Sequence, residues 1–239
     1  MSVIGPLCAA VFLTLLIALL VAAVASSGTA TPAVHLQFGC DSEGCQQLDT
    51  SPETAESSAS ALFSAGHIDL TGDGRPEHVR KEAGEIIIYQ DDIEVWRSPP
   101  DWRVVDAALG DPTNDGRGEV MLAIWKKGLD GLEPPDPVKE NTPRSRPLIV
   151  GYRGGVYRTL WGGSAVALPI HEIGLGDVTG DGEQELLVVE GQRPTETTVS
   201  VWRWHGWGFT LIWRSAPGSY RDLIVGQDGI ISVAVDRFP

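Results

Sequence analysis

Asp177-Val178-Thr179-Gly180-Asp181-Gly182-Glu183-Gln184-Glu185 sets side-chain oxygens on alternate residues just ahead of a glycine. Hard cations such as calcium gather several oxygen ligands at once, and Asp177, Thr179 and Asp181 on a tight turn can converge on one point. Gly182 stands where the chain must turn sharply and a residue without a Cβ is least strained. Glu185 can swing back to complete the shell, and the Glu183 carbonyl can add a backbone oxygen. The stretch reads as a calcium loop. It recurs as Asp69-Leu70-Thr71-Gly72-Asp73-Gly74-Arg75-Pro76-Glu77 and as Asp111-Pro112-Thr113-Asn114-Asp115-Gly116-Arg117-Gly118-Glu119. Three copies with one spacing of Asp, Thr, Asp, Gly and Glu make a repeat, and a repeat decides the architecture before any other feature does.

Working outward, each copy follows one strand-like run and precedes another. From Leu62 onward, short runs rich in Val, Ile, Tyr and Trp, such as Glu85–Tyr89, Glu119–Trp125, Glu185–Val189 and Thr198–Trp204, alternate with Gly, Asp and Pro turns. No stretch carries a sustained helical period with caps, so the expected fold class is all-β, built from hairpins. Asp111 follows Asp69 by 42 residues, close to the ~40–45 of a four-stranded propeller blade. Asp177 follows Asp111 by 66, and the excess falls in the Pro- and charge-rich stretch 127–146, which reads as a surface insertion. Trp96, Trp161 and Trp213 mark the same register, each 15 or 16 residues ahead of Asp111, Asp177 and Asp228. The last repeat, Asp228-Gly229-Ile230-Ile231, keeps the strands and lacks the later acidic ligand. The expectation is a β-propeller-like array of about three and a half to four four-stranded blades over residues 62–239. The alternating segment Ala33–Phe38 is the candidate to complete a small ring. The alternative is an open array that pairs with another copy, at the risk that goes with unpaired strand edges.

The neighbours of the loops narrow the kinship. An EF-hand needs a carboxylate at the twelfth position, where this chain has Arg80, Leu122 and Val188, and strands replace its flanking helices. The pattern Asp-x-Thr-x-Asp-Gly-x-x-Glu between two strands resembles the FG-GAP and VCBS repeats of secreted bacterial proteins, which are related to the blades of the integrin alpha propeller. Gly176 to Val189 carries that resemblance most clearly. It implies that each loop joins the first two strands of a blade and holds Ca2+ through positions one, three, five and nine and the carbonyl of position seven. The implied ligands are Asp69, Thr71, Asp73, Arg75 and Glu77; Asp111, Thr113, Asp115, Arg117 and Glu119; and Asp177, Thr179, Asp181, Glu183 and Glu185. Thr at the third position, where Asp or Asn is commoner, lowers the ligand charge and should weaken affinity. The competing reading of each loop is a metal-free turn in which Asp side chains bond their own backbone.

Composition sets the outer bounds. The 239 residues, 42% hydrophobic and 21% charged, suit one globular domain with an appendage. A formal net charge of −14 argues against nucleic acid or an anionic membrane surface as partner. The apolar run Val3–Ala25 ends in Ala23-Val24-Ala25, as before a signal-peptidase site, so residues 1–25 form a cleaved signal peptide or an uncleaved helical signal anchor. Either places the remainder outside the cytoplasm, with membrane contact only through that segment if uncleaved. Residues 26–61 are rich in Ser, Thr, Ala, Pro and Glu and read as a flexible linker. Cys40 and Cys45 within it form a close pair suited to a small disulfide in an oxidising compartment.

Signs of catalysis are few. His35, His67, His78, His171 and His205 show no metal-ligand spacing, and no Gly-x-Ser-x-Gly elbow or Gly-rich phosphate loop is present. His171 and Glu172 are adjacent in a strand and point to opposite faces. Trp202, Trp204 and Trp207 read either as an aromatic platform for a sugar or peptide or as packing between blades. The expected function is an exported, calcium-binding, non-catalytic binding or adhesion module at the cell surface, with a protein or glycan ligand. The alternatives are a polysaccharide-acting hydrolase or lyase on a propeller scaffold, or an accessory structural domain.

Overall fold

A computed structural model describes residues 34–41, 44–48, 62–127, 143–163 and 166–235. The apolar segment 1–25 and most of the insertion 127–146 lie outside these residues. Within them the chain is all-β, in four antiparallel sheets of four strands.

The first sheet runs in chain order through β3 (Ala65–Ile68), β4 (Glu77–Glu82), β5 (Glu85–Gln90) and β6 (Ile93–Arg97). The second contains β7 (Arg103–Gly110), β8 (Glu119–Lys126), β9 (Arg144–Arg153) and β10 (Val156–Gly162). The third contains β11 (Ile170–Gly176), β12 (Glu185–Arg193), β13 (Glu196–Trp204) and β14 (Phe209–Arg214). Tight turns set these meanders. Ala83-Gly84, Asp91-Asp92 and Gly154-Gly155 each place two successive residues at positive φ between paired strands, the backbone of the hairpin turn whose twist matches its strands.

The fourth sheet is discontinuous in sequence. β15 (Tyr220–Val225) and β16 (Ile231–Val235) are joined by β1 (Val34–Asp41) and β2 (Gly44–Gln47), in the order β15-β16-β1-β2. β1 pairs antiparallel with β16 from Val34↔Val235 to Phe38↔Ile231. The stretch expected as linker therefore contributes two strands. β1 was legible from its alternation. β2, Gly-Cys-Gln-Gln, has too little apolar content to announce a strand, and the Cys40–Cys45 disulfide holds it against β1.

Packing follows from alternation along the second strands of the second and third sheets. Val120, Leu122 and Ile124 of β8 point into a core shared with Val79, Ile86, Ile88 and Val104. Met121 and Ala123 point the other way, into a core with Ile173, Leu186 and Val188. Leu187 and Val189 of β12 in turn meet Leu223, Ile231, Val233 and Phe38. A strand buried on both faces needs an unbroken apolar run, and Val120–Ile124 and Leu186–Val189 supply it. Trp96, Trp161 and Trp213 pack against the three cores in turn, which accounts for their periodic spacing.

Two carboxylates stitch successive sheets together at β-bulges. Asp106, at the register shift in β7, accepts hydrogen bonds from the Phe63 and Ile173 backbone N–H, both at 2.9 Å. Glu172, at the shift in β11, accepts them from Asp222 and Leu223 at 3.0 and 2.7 Å. Each acid stands five residues ahead of the first Asp of a loop. The repeat thus includes a joint to the next sheet as well as a loop.

Candidate functional site

The three loops join the first and second strands of the first three sheets: β3 to β4, β7 to β8 and β11 to β12. Positions four and six of every copy are at positive φ: Gly72 and Gly74, Asn114 and Gly116, Gly180 and Gly182. The fourth-position requirement explains why Gly alternates there only with Asn, the side chain that best tolerates that region. The two turns aim backbone N–H groups at the first Asp. Asp69 accepts from Gly72 and Gly74 at 2.7 and 2.8 Å. Asp111 accepts from Asp115 and Gly116 at 3.1 and 2.7 Å. Asp177 accepts from Gly180, Asp181 and Gly182 between 2.7 and 3.1 Å. The fifth-position Asp accepts the N–H of position seven in each case, from Arg75, Arg117 and Glu183.

The ninth-position glutamates begin the second strands and are fully buried, each at 0% exposure. Glu77 and Glu185 accept the N–H of position two, from Leu70 at 2.7 Å and Val178 at 3.2 Å. Pro112 has no N–H to offer Glu119. There the Thr113 hydroxyl donates to both carboxylate oxygens, at 3.1 and 3.0 Å, and Thr179 donates to Glu185 at 3.2 Å.

Buried carboxylates need a countercharge, and the loops find it in different places. Arg203 of β13 puts Nη2 within 2.8 Å of Asp181, 2.9 Å of Thr179 and 2.9 Å of Glu185. Arg153, the last residue of β9, puts Nη2 within 2.8 Å of Asp115 and 2.5 Å of Glu119. No arginine among the described residues reaches Glu77. Extending the pairing His78↔Tyr89 by one step sets Gln90 opposite Glu77, where Leu186↔Trp202 sets Arg203 opposite Glu185. Glu77 receives a neutral donor instead, the Tyr157 hydroxyl at 3.0 Å. The loop's own Arg75 lies outside, exposed, paired with Asp73 and Asp91 at 3.0 and 3.2 Å.

The protonation tendencies match these surroundings. Burial pushes the Glu119 carboxyl up to about 7, against the lowering by Thr113 and Arg153. Arg203 is held more firmly protonated by its hydrogen bond to Glu185. Burial, and then the bond to Glu77, raise Tyr157 above the ordinary phenol range. Arg75, through its backbone N–H first and its guanidinium next, lowers Asp73.

The fifteen sequence-derived positions lie in these loops. The side chains of positions three, five and nine share one guanidinium in the third loop, and positions five and nine share one in the second, whereas in the first Asp73 is turned to exposed Arg75. The partners that sequence reasoning missed are Arg153, Arg203 and Tyr157, which come from strands more than thirty residues away from loops 2 and 1 and eighteen from Glu185. Nothing local in the repeat marks them. As the side chains stand, no group of three or more His, Cys, Asp or Glu among the described residues is arranged around a metal-sized point. The carboxylates are turned instead to backbone N–H groups, threonine hydroxyls and guanidinium groups.

The loops also touch in series. Asn114 and Gln184 exchange bonds, Gln184 N–H to Asn114 at 2.7 Å and Asn114 Nδ2 to the Gln184 carbonyl at 3.3 Å, and Gln184 Oε1 accepts the Asp111 N–H at 2.7 Å. Gly118 lies so close to the first loop that a Cβ there would stand 2.6 Å from the Asp69 carbonyl. Beside loop 1, a cleft of about 620 Å³ is walled by Trp96, Tyr152 and Tyr157, with Thr71, Asp73 and Gln90 supplying its polar groups.

Other residues singled out in the sequence take structural places. The His171 ring bonds the Gly191 carbonyl at 2.9 Å, and Glu172 is the sheet-to-sheet joint described above. Trp204 forms edge-on contacts with Trp161 and Phe209, and both Trp202 and Trp204 pack against the core between the second and third sheets. Trp207 is 81% exposed, so the three tryptophans do not form one platform. Comparison with protein-family models, with curated proteins and with solved structures finds no match.

Proposed function

We propose that the protein is an exported, calcium-dependent, non-catalytic binding module, built as a four-bladed propeller of FG-GAP/VCBS-type repeats. The observation that carries this reading is the cleft beside loop 1, because Thr71 and Asp73 belong to both the loop and the cleft wall. Aromatic faces with a few polar groups suit a sugar ring or a peptide side chain. Asp69, Thr71, Asp73 and Glu77, with the Arg75 carbonyl, are the oxygen donors that would hold calcium. Bound there, the ion would supply the positive charge that buried Glu77 otherwise lacks. Asp73 is held by exposed Arg75, so it is the ligand that must turn inward. An ion in loop 1 would thereby fix one wall of the cleft.

The test is a glycan and peptide array probed with calcium and with chelator, using the natural protein and a Trp96→Ala/Tyr152→Ala double variant. Binding that needs both calcium and the two aromatic residues is the expected result. Ligand binding indifferent to calcium and to both substitutions would overturn the reading.

A further inference from the structure

Loops 2 and 3 share every ligand position with loop 1, yet a guanidinium stands where the oxygen atoms converge. Calcium sits about 2.3–2.6 Å from its oxygens. In loop 3, Arg203 Nη2 is already 2.8 to 2.9 Å from the oxygens of positions three, five and nine. An ion bonded to those three atoms would occupy nearly the same space as that nitrogen, with a like charge beside it. In loop 2, Arg153 Nη2 holds positions five and nine in the same way. The threonine hydroxyls fit this arrangement. In both loops the third-position hydroxyl spends its proton on the ninth-position glutamate, an internal bond that an all-acidic loop could not make.

We propose that Arg153 and Arg203 are built-in cations that replace calcium in loops 2 and 3, so that only loop 1 of the three retains an ion requirement. Register supports the difference between loops 3 and 1. Arg203 lies directly across from Glu185 on a paired strand, so the backbone delivers its side chain to the loop, and Gln90 holds the corresponding place across from Glu77. A guanidinium also offers several donors in a fixed plane, which matches a set of oxygens that a point charge would otherwise gather. Two of the three repeats would then keep their shape at any calcium concentration. The third would respond to it, next to the cleft.

This inference shares its loop 1 assignment with the proposed function, and ion counting separates the two. Calcium bound per protein would be measured by equilibrium dialysis on the full chain carrying Asp73→Asn, Asp181→Asn, Arg203→Gln or Arg203→Lys. Asp181→Asn is expected to leave the wild-type count unchanged, and Arg203→Gln to add one ion. Arg203→Lys, which keeps a cation, should add none. Arg203→Gln should also lose thermal stability in chelator and regain it with calcium. Loss of one ion on Asp181→Asn, or a wild-type count of three, would overturn the proposal without any arginine variant having to fold. If the wild type binds no calcium while Arg203→Gln binds one, the loop 1 reading fails and the arginine assignment stands.

Discussion

Asp106 shows at the residue scale how a repeat is fastened to its neighbour. Its carboxylate accepts backbone N–H groups from Phe63, just ahead of the first sheet, and from Ile173 in the third, while being only 2% exposed. Asp106→Asn turns an NH2 toward one of those donors, and a buried donor left without an acceptor costs about 1–3 kcal/mol. Urea unfolding should show a lowered midpoint and a loss of unfolding free energy of that size. Burial raises the Asp106 carboxyl above its ordinary value, outweighing the backbone bonds from Ile173, Phe63 and Ala107. A carboxyl whose folded pKa is raised takes up protons on folding, so its contribution to stability is greatest at low pH. That contribution falls as pH rises from about 3.8 through the raised value. The stability difference between wild type and Asp106→Asn should therefore narrow over that window. A difference that widened with rising pH would contradict the raised pKa. Gly118 offers a steric counterpart. A Cβ there meets the Asp69 carbonyl, a backbone atom that cannot move aside cheaply, so Gly118→Ala should cost about 1–3 kcal/mol, read from the same unfolding curves.

At the scale of elements, the fourth sheet depends on strands drawn from the other end of the chain. Phe38 of β1 is 5% exposed, belongs to the core with Ile231 and Val233, and lies 5.3 Å from the Trp213 ring. Phe38→Ala should cost about 3–5 kcal/mol in chemical denaturation. β2 is held less by burial than by the Cys40–Cys45 disulfide. The loop it closes is short, so by the chain-entropy estimate Cys40→Ser/Cys45→Ser should lower stability by roughly 2 kcal/mol. Reduction of the natural protein should reproduce the change. An unaltered melting temperature after reduction would mean that β2 contributes little. The loops belong to this scale too, since each closes on itself through hydrogen bonds to its first Asp. For that reason the nonapeptide could be read as a loop, and its strand register fixed, without knowledge of the rest.

At the scale of the whole molecule, β1 and β2 supply half of the last sheet, and this makes a simple prediction. Removing residues 1–32 should leave cooperative thermal unfolding intact, whereas removing residues 1–48 should abolish it or produce aggregates. The second deletion exposes the β16 edge and one side of the core around Ile231. If the shorter chain folded as well as the longer one, β1 would not be needed to complete the sheet.

The sequence by itself determined the all-β class, the three loops between strands and the tryptophan spacing. These features are periodic or local: alternation, turn chemistry and a repeated nonapeptide act over a few residues, and each copy confirms the others. The return of the segment around Phe38, one of two arrangements the sequence left open, was decided by the pairing of β1 with β16. Tertiary structure also decided how the loops are neutralised. Arg153, Arg203, Gln90 and Tyr157 carry no motif; Arg203 and Gln90 stand across from a glutamate on a paired strand, while Arg153 arrives from the end of β9 and Tyr157 from the neighbouring sheet. Three loops that read alike therefore differ in charge balance. A carboxylate excluded from water takes whatever cation the fold brings within reach, and among the described residues the strands bring one to Glu119 and Glu185 and none to Glu77.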